Sequence, residues 1–356
     1  MTAGAKHKQV MRGVCWVGGD SIATHNFRPL IENHVDWISQ TPFGWQPHYD
    51  QPDIAYGSDR TLWGERDSGI RYTTALARQH GIKTILKPHI WLNRSAGKWR
   101  ADIEMRSPAE WDAWFASYER FILHYALLAQ ECGIEVLCIG TELLIPSTRF
   151  PDRWRDLVGK IRSVYDGKLT YAANFHEEFE KISWWDALDY IGIQAYFPLG
   201  DHSAPTLRQL RTGWQPHLRK IETIYQRYQR PVLFTEIGYR NDALSAREPW
   251  LWPNQIDAEA VRPDDALQAR CYRAFFETCW QQEWMAGVFF WKWFHSTWRF
   301  ETREEHLAYR QHRIDSLVAA GHSRWARRAR RQIWFSPQGR EAERVMRSYF
   351  AAASRN

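Results

Sequence analysis

The chain has 356 residues, 44% of them hydrophobic and 25% charged, ordinary globular values that exclude a disordered, collagenous or membrane-embedded chain. A chain this long buries roughly three-quarters of its unfolded surface, so it needs neither disulfide nor metal to hold together. The formal charge of +6 is concentrated, because nine arginines and four acids between Arg299 and Arg331 carry +5 of it; the surface as a whole is not built for phosphate, and one segment near the C-terminus is basic.

Taken in chain order, short apolar runs alternate with longer helical patterns. GVCWV (13–17) predicts a first strand, a weak helical pattern lies near 22–33, and VDWISQ (35–40) predicts a second strand. A helix over 66–80 precedes KTILKPH (83–89). The helix over 108–132 has Ser107 at its N-cap, Pro108 at N1 and Glu110 at N3, and leads to EVLCIGTE (135–142). Helix 152–165 leads to LTYAAN (169–174), and a short pattern near 182–187 to YIGIQAY (190–196). Helices 204–229 and 265–284 precede PVLFTE (231–236) and GVFFWKW (287–293), and a last helix over 338–351 follows Phe335-Ser336-Pro337.

The eight strand candidates are near-continuous in apolar and β-branched residues, as strands buried on both faces are. Such strands alternating with helices predict an α/β fold, a single (β/α)8 TIM barrel. A doubly wound open sheet uses the same alternation, but it is disfavoured here. The turn after the first strand, Trp16-Val17-Gly18-Gly19-Asp20, matches neither GxGxxG nor GxxxxGK[ST]. Without internal repeats, low-complexity tracts or a Pro/Gly/Ser linker, one catalytic domain over 1–356 is expected.

The five cysteines form no CxxC pair and read as reduced core thiols. The N-terminal MTAGAKHKQV has no apolar core, and no run of about 18 apolar residues occurs. A soluble protein without a membrane partner is expected, cytoplasmic unless a signal peptide has been removed; its oligomeric state is not legible. His176-Glu177-Glu178 lacks a second histidine at zinc spacing and GxSxG is absent, so neither a metal, a cofactor nor a serine nucleophile is expected. Asn93-Arg94-Ser95 fits the N-glycosylation pattern, which recurs by chance.

Two features carry chemistry. The aromatic content is 15%, with 21 Trp, and flat rings suit a sugar-binding cleft. Trp111, Trp114, Trp184 and Trp185 fall in helical patterns and read as packing residues instead. Glu142 and Glu236 each close a strongly apolar strand, where a carboxylate must be paired, hydrogen-bonded or protonated. In a barrel both stand at the carboxyl ends of strands four and seven, and a pair of carboxylates over one crevice is what glycoside hydrolysis requires. The alternative for each is an ion pair with a local Arg or Lys that serves the fold.

IGTELL (139–144) and FTEIGY (234–239) resemble the acid/base and nucleophile strands of clan A glycoside hydrolases. More narrowly, Thr-Glu-Leu after Gly140, LTYAAN with Phe175, GIQAYFPL (192–199) and FSPQGREAERV (335–345) resemble glycoside hydrolase family 113, from about residue 12 to 295 and again from 334. Characterised members of that family are endo-acting β-1,4-mannanases, retaining (β/α)8 barrels. The resemblance implies Glu142 as general acid/base, Glu236 as nucleophile, and Tyr196 as the hydrogen-bond donor that orients Glu236. It implies Trp291 as the platform under the reacting sugar, and Asn174 and His89 as contacts to sugar hydroxyls or the carboxylates. Trp16, Lys87 and Trp45 are further subsite candidates. Many clan members carry Asn immediately before the acid/base, where it holds the sugar 2-hydroxyl; here that position is Thr141. A β-linked oligo- or polysaccharide is the expected substrate, with no nucleic-acid partner.

One stretch departs from the family pattern, a charged helical insertion over 295–333 after strand eight, ending in Arg327, Arg328, Arg330 and Arg331. It reads as a solvated excursion on the barrel rim, or as a segment that narrows one end of the cleft or attracts acidic groups. Other readings remain: a non-catalytic carbohydrate-binding barrel, a nucleic-acid-associated protein acting through the insertion, or a clan A β-glucosidase or β-glucanase.

Overall fold

Strands with no polar face have no face to give to water, and eight of them close on themselves in the computed structural model. The structure describes residues 10–59, 61–94, 97–202, 204–253, 255–256, 261–295, 308, 311–312, 315–316, 318–321 and 333–354. The strands are β1 (Met11–Val17), β2 (Trp37–Gln40), β3 (Phe43–Gln46), β4 (Lys83–Leu86), β5 (His89–Leu92), β6 (Val136–Thr141), β7 (Lys168–Asn174), β8 (Ile191–Gln194), β9 (Val232–Ile237) and β10 (Met285–Phe294). Eight of these form a closed parallel barrel in the order β1-β10-β9-β8-β7-β6-β4-β2, and β3 pairs with β5 in a separate parallel sheet. Closure runs through β1, where Gly13 is in register with Trp37 on one side and Phe289 on the other. This is the expected (β/α)8 architecture. Inside it, Cys15, Trp37, Ile85, Cys138, Leu233 and Phe289 fill the lumen, so the barrel is a packed core with its working surface at one end.

The helices wrap the outside as α1 (Arg28–Glu32), α2 (Asp67–Gln79), α3 (Pro108–Cys132), α4 (Leu144–Arg149), α5 (Pro151–Arg162), α6 (Glu178–Lys181), α7 (Leu207–Tyr228) and α8 (Asp265–Thr278). The N-terminus of α3 is capped as its sequence dictates, Glu110 N donating to Ser107 Oγ at 3.2 Å, and Gly133 ends it in a left-handed conformation at φ 60°. Trp111, Trp114, Trp184 and Trp185 are buried between layers, and Trp154 stacks on Trp184 with centroids 5.0 Å apart. Among the described residues no helix is long and apolar enough to cross a membrane.

Two differences from the sequence expectation stand out. KTILKPH is not one strand. Lys87 N still reaches Gln40 O at 2.8 Å, but Pro88 has no N–H to offer, and the chain leaves the barrel to pair with β3 through His89 N to Pro42 O at 2.9 Å. The resulting two-stranded sheet packs one face on α3: Trp114 Nε1 donates to Gln46 Oε1 at 3.0 Å, and a Cβ on Gly44 would lie 2.7 Å from the Phe121 ring. The last helix spans Glu341–Ser354, three residues later than expected, because Gly339 takes φ 73° just after Pro337. The charged insertion lies mainly outside the described residues, and its flanks are clipped together: Phe294 N donates to Gln338 Oε1 at 2.8 Å, and Gln338 Nε2 donates to Phe294 O at 2.9 Å.

Candidate active site

Glu142 is the first residue past β6, and its backbone is left-handed at φ 53°. A side chain other than glycine holds that conformation only when its surroundings over-determine it, at a cost of about 1–3 kcal/mol. Glu142 N donates to Ala172 O on β7 at 2.9 Å, and Leu143 N donates to the Tyr171 hydroxyl at 2.8 Å. Tyr171 OH in turn donates to Glu178 Oε1 at 2.5 Å. The Glu178 carboxyl also accepts from Ser147 Oγ at 2.7 Å and from Asn174 N at 2.7 Å. Burial pushes the Glu178 pKa up to about 7 against these three donors. One buried carboxyl therefore ties the turn after β6, which carries Glu142, to the end of β7, which carries Asn174.

The Glu142 carboxyl is nearly buried. Its Oε2 accepts from the Trp99 indole Nε1 at 2.9 Å, its Oε1 from Asn174 Nδ2 at 3.4 Å, and Arg100 Nε lies 3.8 Å from Oε2. Burial raises its pKa, and the charge of Glu236 adds to the rise, while Arg100, the indole N–H and Lys87 oppose it. Glu236, in β9, is dressed differently. Its Oε2 accepts from Tyr196 OH at 2.7 Å, its Oε1 accepts from Lys87 Nζ, and His89 Nε2 is 3.8 Å from Oε1. Lys87 is wholly buried and also donates to Thr235 O at 3.3 Å. Burial, the largest single influence, favours its neutral amine, but the Glu236 charge, the hydrogen bond to that carboxylate and the neighbouring Cys15 and Cys138 together outweigh it and raise its pKa, so it stays an ammonium. Burial, then the Glu236 charge, pushes the Tyr196 phenol well above its usual range and keeps its proton available for donation. His89 is held neutral by burial and by the nearby Arg100 and Lys87 charges.

Around the two carboxylates stand buried polar atoms with no hydrogen-bond partner among the described residues: Arg100 Nε and Nη1, His89 Nε2 and Thr141 Oγ1. An unpartnered buried donor costs about 1–3 kcal/mol, and a group of them at one site is the complement of a hydroxyl-rich ligand. Arg100 Nε does not reach hydrogen-bond distance of Glu142, so neither carboxylate is locked against a guanidinium.

The structure thus brings together Glu142, Glu236, Tyr196, Lys87, His89, Thr141 and Asn174. Trp291 adjoins them on β10, its ring centroid 5.8 Å from Lys87 Nζ and its edge against Trp252 at 6.1 Å. Trp45 lies on the β3–β5 sheet in register with Trp91, one pleat beyond the Phe43–His89 pair. Trp16 is not joined to this set: it is buried and stacked on Phe27 at 5.1 Å. Trp99, Arg100 and Glu178 are the residues that sequence reasoning missed. Trp99 and Arg100 open a single 3-10 turn within a stretch without periodicity, and Glu178 sat in a triplet weighed only as a metal motif. The available signal was a Trp-Arg pair in the loop after barrel strand three, on the ligand face. Among the described residues no group of three or more His, Cys, Asp or Glu could hold a metal ion.

The model of Glycoside Hydrolase Family 113 matches residues 16–313. Among solved structures, a GH113 β-1,4-mannanase in a complex is 23% identical with a TM-score of 0.76, over 97% of this chain and 99% of that one. A GH113 β-mannanase from Alicyclobacillus acidocaldarius in complex with ManMIm is 25% identical with a TM-score of 0.75, over 97% and 98% of the two chains. A β-glucuronidase from Ruminococcus gnavus in complex with D-glucuronic acid shares the fold alone, at 9% identity and a TM-score of 0.53, over 80% of this chain and 42% of that one. No curated protein sequence matches the chain.

Proposed function

The chain belongs to glycoside hydrolase family 113, and on that premise we propose that it cleaves β-1,4-linked mannosides with retention, by double displacement. The observation that carries this reading is the unequal dressing of two buried carboxylates, Glu142 beside an indole donor and Glu236 between an ammonium and a phenol. The substrate class follows the solved relatives, which are β-mannanases.

In the first step Glu236 attacks the anomeric carbon, and the bond to the departing oxygen breaks as Glu142 delivers its proton there. Oε2 accepts from Trp99 at 2.9 Å and Oε1 only from the longer Asn174 contact at 3.4 Å, so the transferable proton belongs on Oε1. Lys87 and Tyr196 hold the Glu236 carboxylate in place, one donor on each oxygen. The sugar is then an ester of Glu236 with no charge, which removes a neighbour that raises the Glu142 pKa. Glu142 turns into a base, takes a proton from water, and the resulting attack on the anomeric carbon frees Glu236. The scheme calls for carboxyl groups about 5–5.5 Å apart. Arg100, His89, Thr141 and Asn174 supply hydrogen bonds to the sugar hydroxyls, and Trp291 the flat platform beneath the ring.

Glu236→Ala should abolish turnover of 2,4-dinitrophenyl β-mannoside. Azide should restore activity to Glu142→Ala on the same substrate, with β-mannosyl azide as product. An α-configured azide, seen by NMR, would overturn the assignment of Glu142 as acid/base and Glu236 as nucleophile.

A further inference from the structure

The β3–β5 sheet is an addition to the barrel, and its two faces differ. Gly44, Gln46, Ile90 and Leu92 lie on the face packed against α3 and are buried. By the two-residue pleat, Phe43, Trp45, His89 and Trp91 share the opposite face, with Phe43 in register with His89 and Trp45 with Trp91. His89 sets the direction of that face, since its Nε2 lies 3.8 Å from Glu236 Oε1. The row therefore starts at the nucleophile and runs outward from the barrel. Exposure follows the same gradient, from His89 at 4% to Trp91 at 38%.

The row also reaches the acid/base. Trp91 stands edge-on to Trp99 at 5.7 Å, and Trp99 donates to Glu142 Oε2. Phe43 braces the row, 6.2 Å from Trp91 and 5.9 Å from Trp45. Because Glu142 protonates the departing oxygen, an aromatic surface continuous with it lies where the departing sugars run. Pyranose rings present apolar C–H faces that stack on indole, and a sheet fixed from behind by the Gln46–Trp114 hydrogen bond needs no ordering on binding.

We propose that this aromatic face, led by Trp91, binds the sugar rings on the leaving-group side of the scissile bond. The inference rests on the mannoside reading above and adds where the rest of the chain lies. It is tested with mannotetraose and p-nitrophenyl β-mannobioside, which share sugars on the glycone side and differ in the leaving group. In Trp91→Ala the ratio of kcat/KM on mannotetraose to that on the aryl mannobioside should fall by about tenfold, the factor that one lost contact of ~1.4 kcal/mol gives. Trp91→Phe, which keeps a ring, should retain part of the ratio, and transfer of mannosyl units to added mannobiose should fall in parallel in Trp91→Ala. An unchanged ratio in a variant that still cleaves both substrates overturns this inference alone, including the case in which both rates fall equally because the ring serves the glycone side. A wild-type enzyme that cleaves neither substrate overturns the mannoside reading and this inference with it.

Discussion

Arg100 shows how much one side chain of this site is asked to do. It is buried, stacked 4.2 Å from the Trp99 ring centroid, near enough to Glu142 to oppose the rise of its pKa, and without a hydrogen-bond partner for Nε or Nη1 among the described residues. Its charge and its donors are separable. Arg100→Met removes a charge that opposes the rise of the Glu142 pKa, so that pKa climbs further and Glu142 keeps its proton to higher pH. The alkaline limb of the kcat/KM profile should move upward, while the lost donors lower the plateau. Arg100→Lys keeps the charge and should leave the limb near its wild-type position. A pH profile of both variants on an aryl β-mannoside checks this, and a Met variant whose limb moves down would contradict the assigned electrostatics.

At the scale of elements, the site is held by connections between neighbouring strands rather than by any one of them. Tyr171, in the middle of β7, accepts from Leu143 N beyond β6 and donates to Glu178 beyond its own strand. Tyr171→Phe leaves a buried N–H without its acceptor and Glu178 without one of three donors. It should lower the unfolding free energy by about 1–3 kcal/mol, measured in urea. Since the same hydroxyl over-determines the left-handed Glu142, kcat should fall more than KM rises. A variant with reduced stability and normal kcat would confine Tyr171 to the fold. The strands themselves were legible from composition, because a strand buried on both faces has to be apolar throughout. The break at Pro88 was equally written in the sequence, yet the apolar run continues through it to Leu92. Only the partner strand β3, 46 residues earlier at its matching position Phe43–His89, reveals that a second sheet begins there.

At the scale of the whole molecule, the chain beyond the insertion returns to the site it left. Phe335 stands edge-on to Tyr196 at 6.1 Å and to Trp252 at 6.1 Å, and Trp334 N donates to Asn241 Oδ1 at 2.7 Å. The last helix then buries Val345, Met346 and Phe350, and Tyr349 stacks on Phe276 of α8 at 4.4 Å. Burying three such side chains contributes about 1.5–3 kcal/mol each, comparable in sum with the roughly 5–15 kcal/mol that holds a protein folded. A chain ending at Ile333 should therefore fail to give a soluble, cooperatively melting barrel; recovery with the wild-type melting temperature by circular dichroism would show the return segment to be dispensable. By itself the sequence determined the alternation of elements, the barrel, and the two strand-end glutamates, since each is dictated by local pattern: apolar runs, caps and a carboxylate left at an apolar strand's end. The family resemblance also implied Tyr196 as the donor to Glu236, and the structure places it there; only the tertiary structure decided that Lys87 takes the other Glu236 oxygen while Trp99 and Arg100 flank Glu142. Those partners come from different loops and strands, and which donor meets which oxygen depends on barrel register and chain closure, quantities that no local pattern of residues encodes.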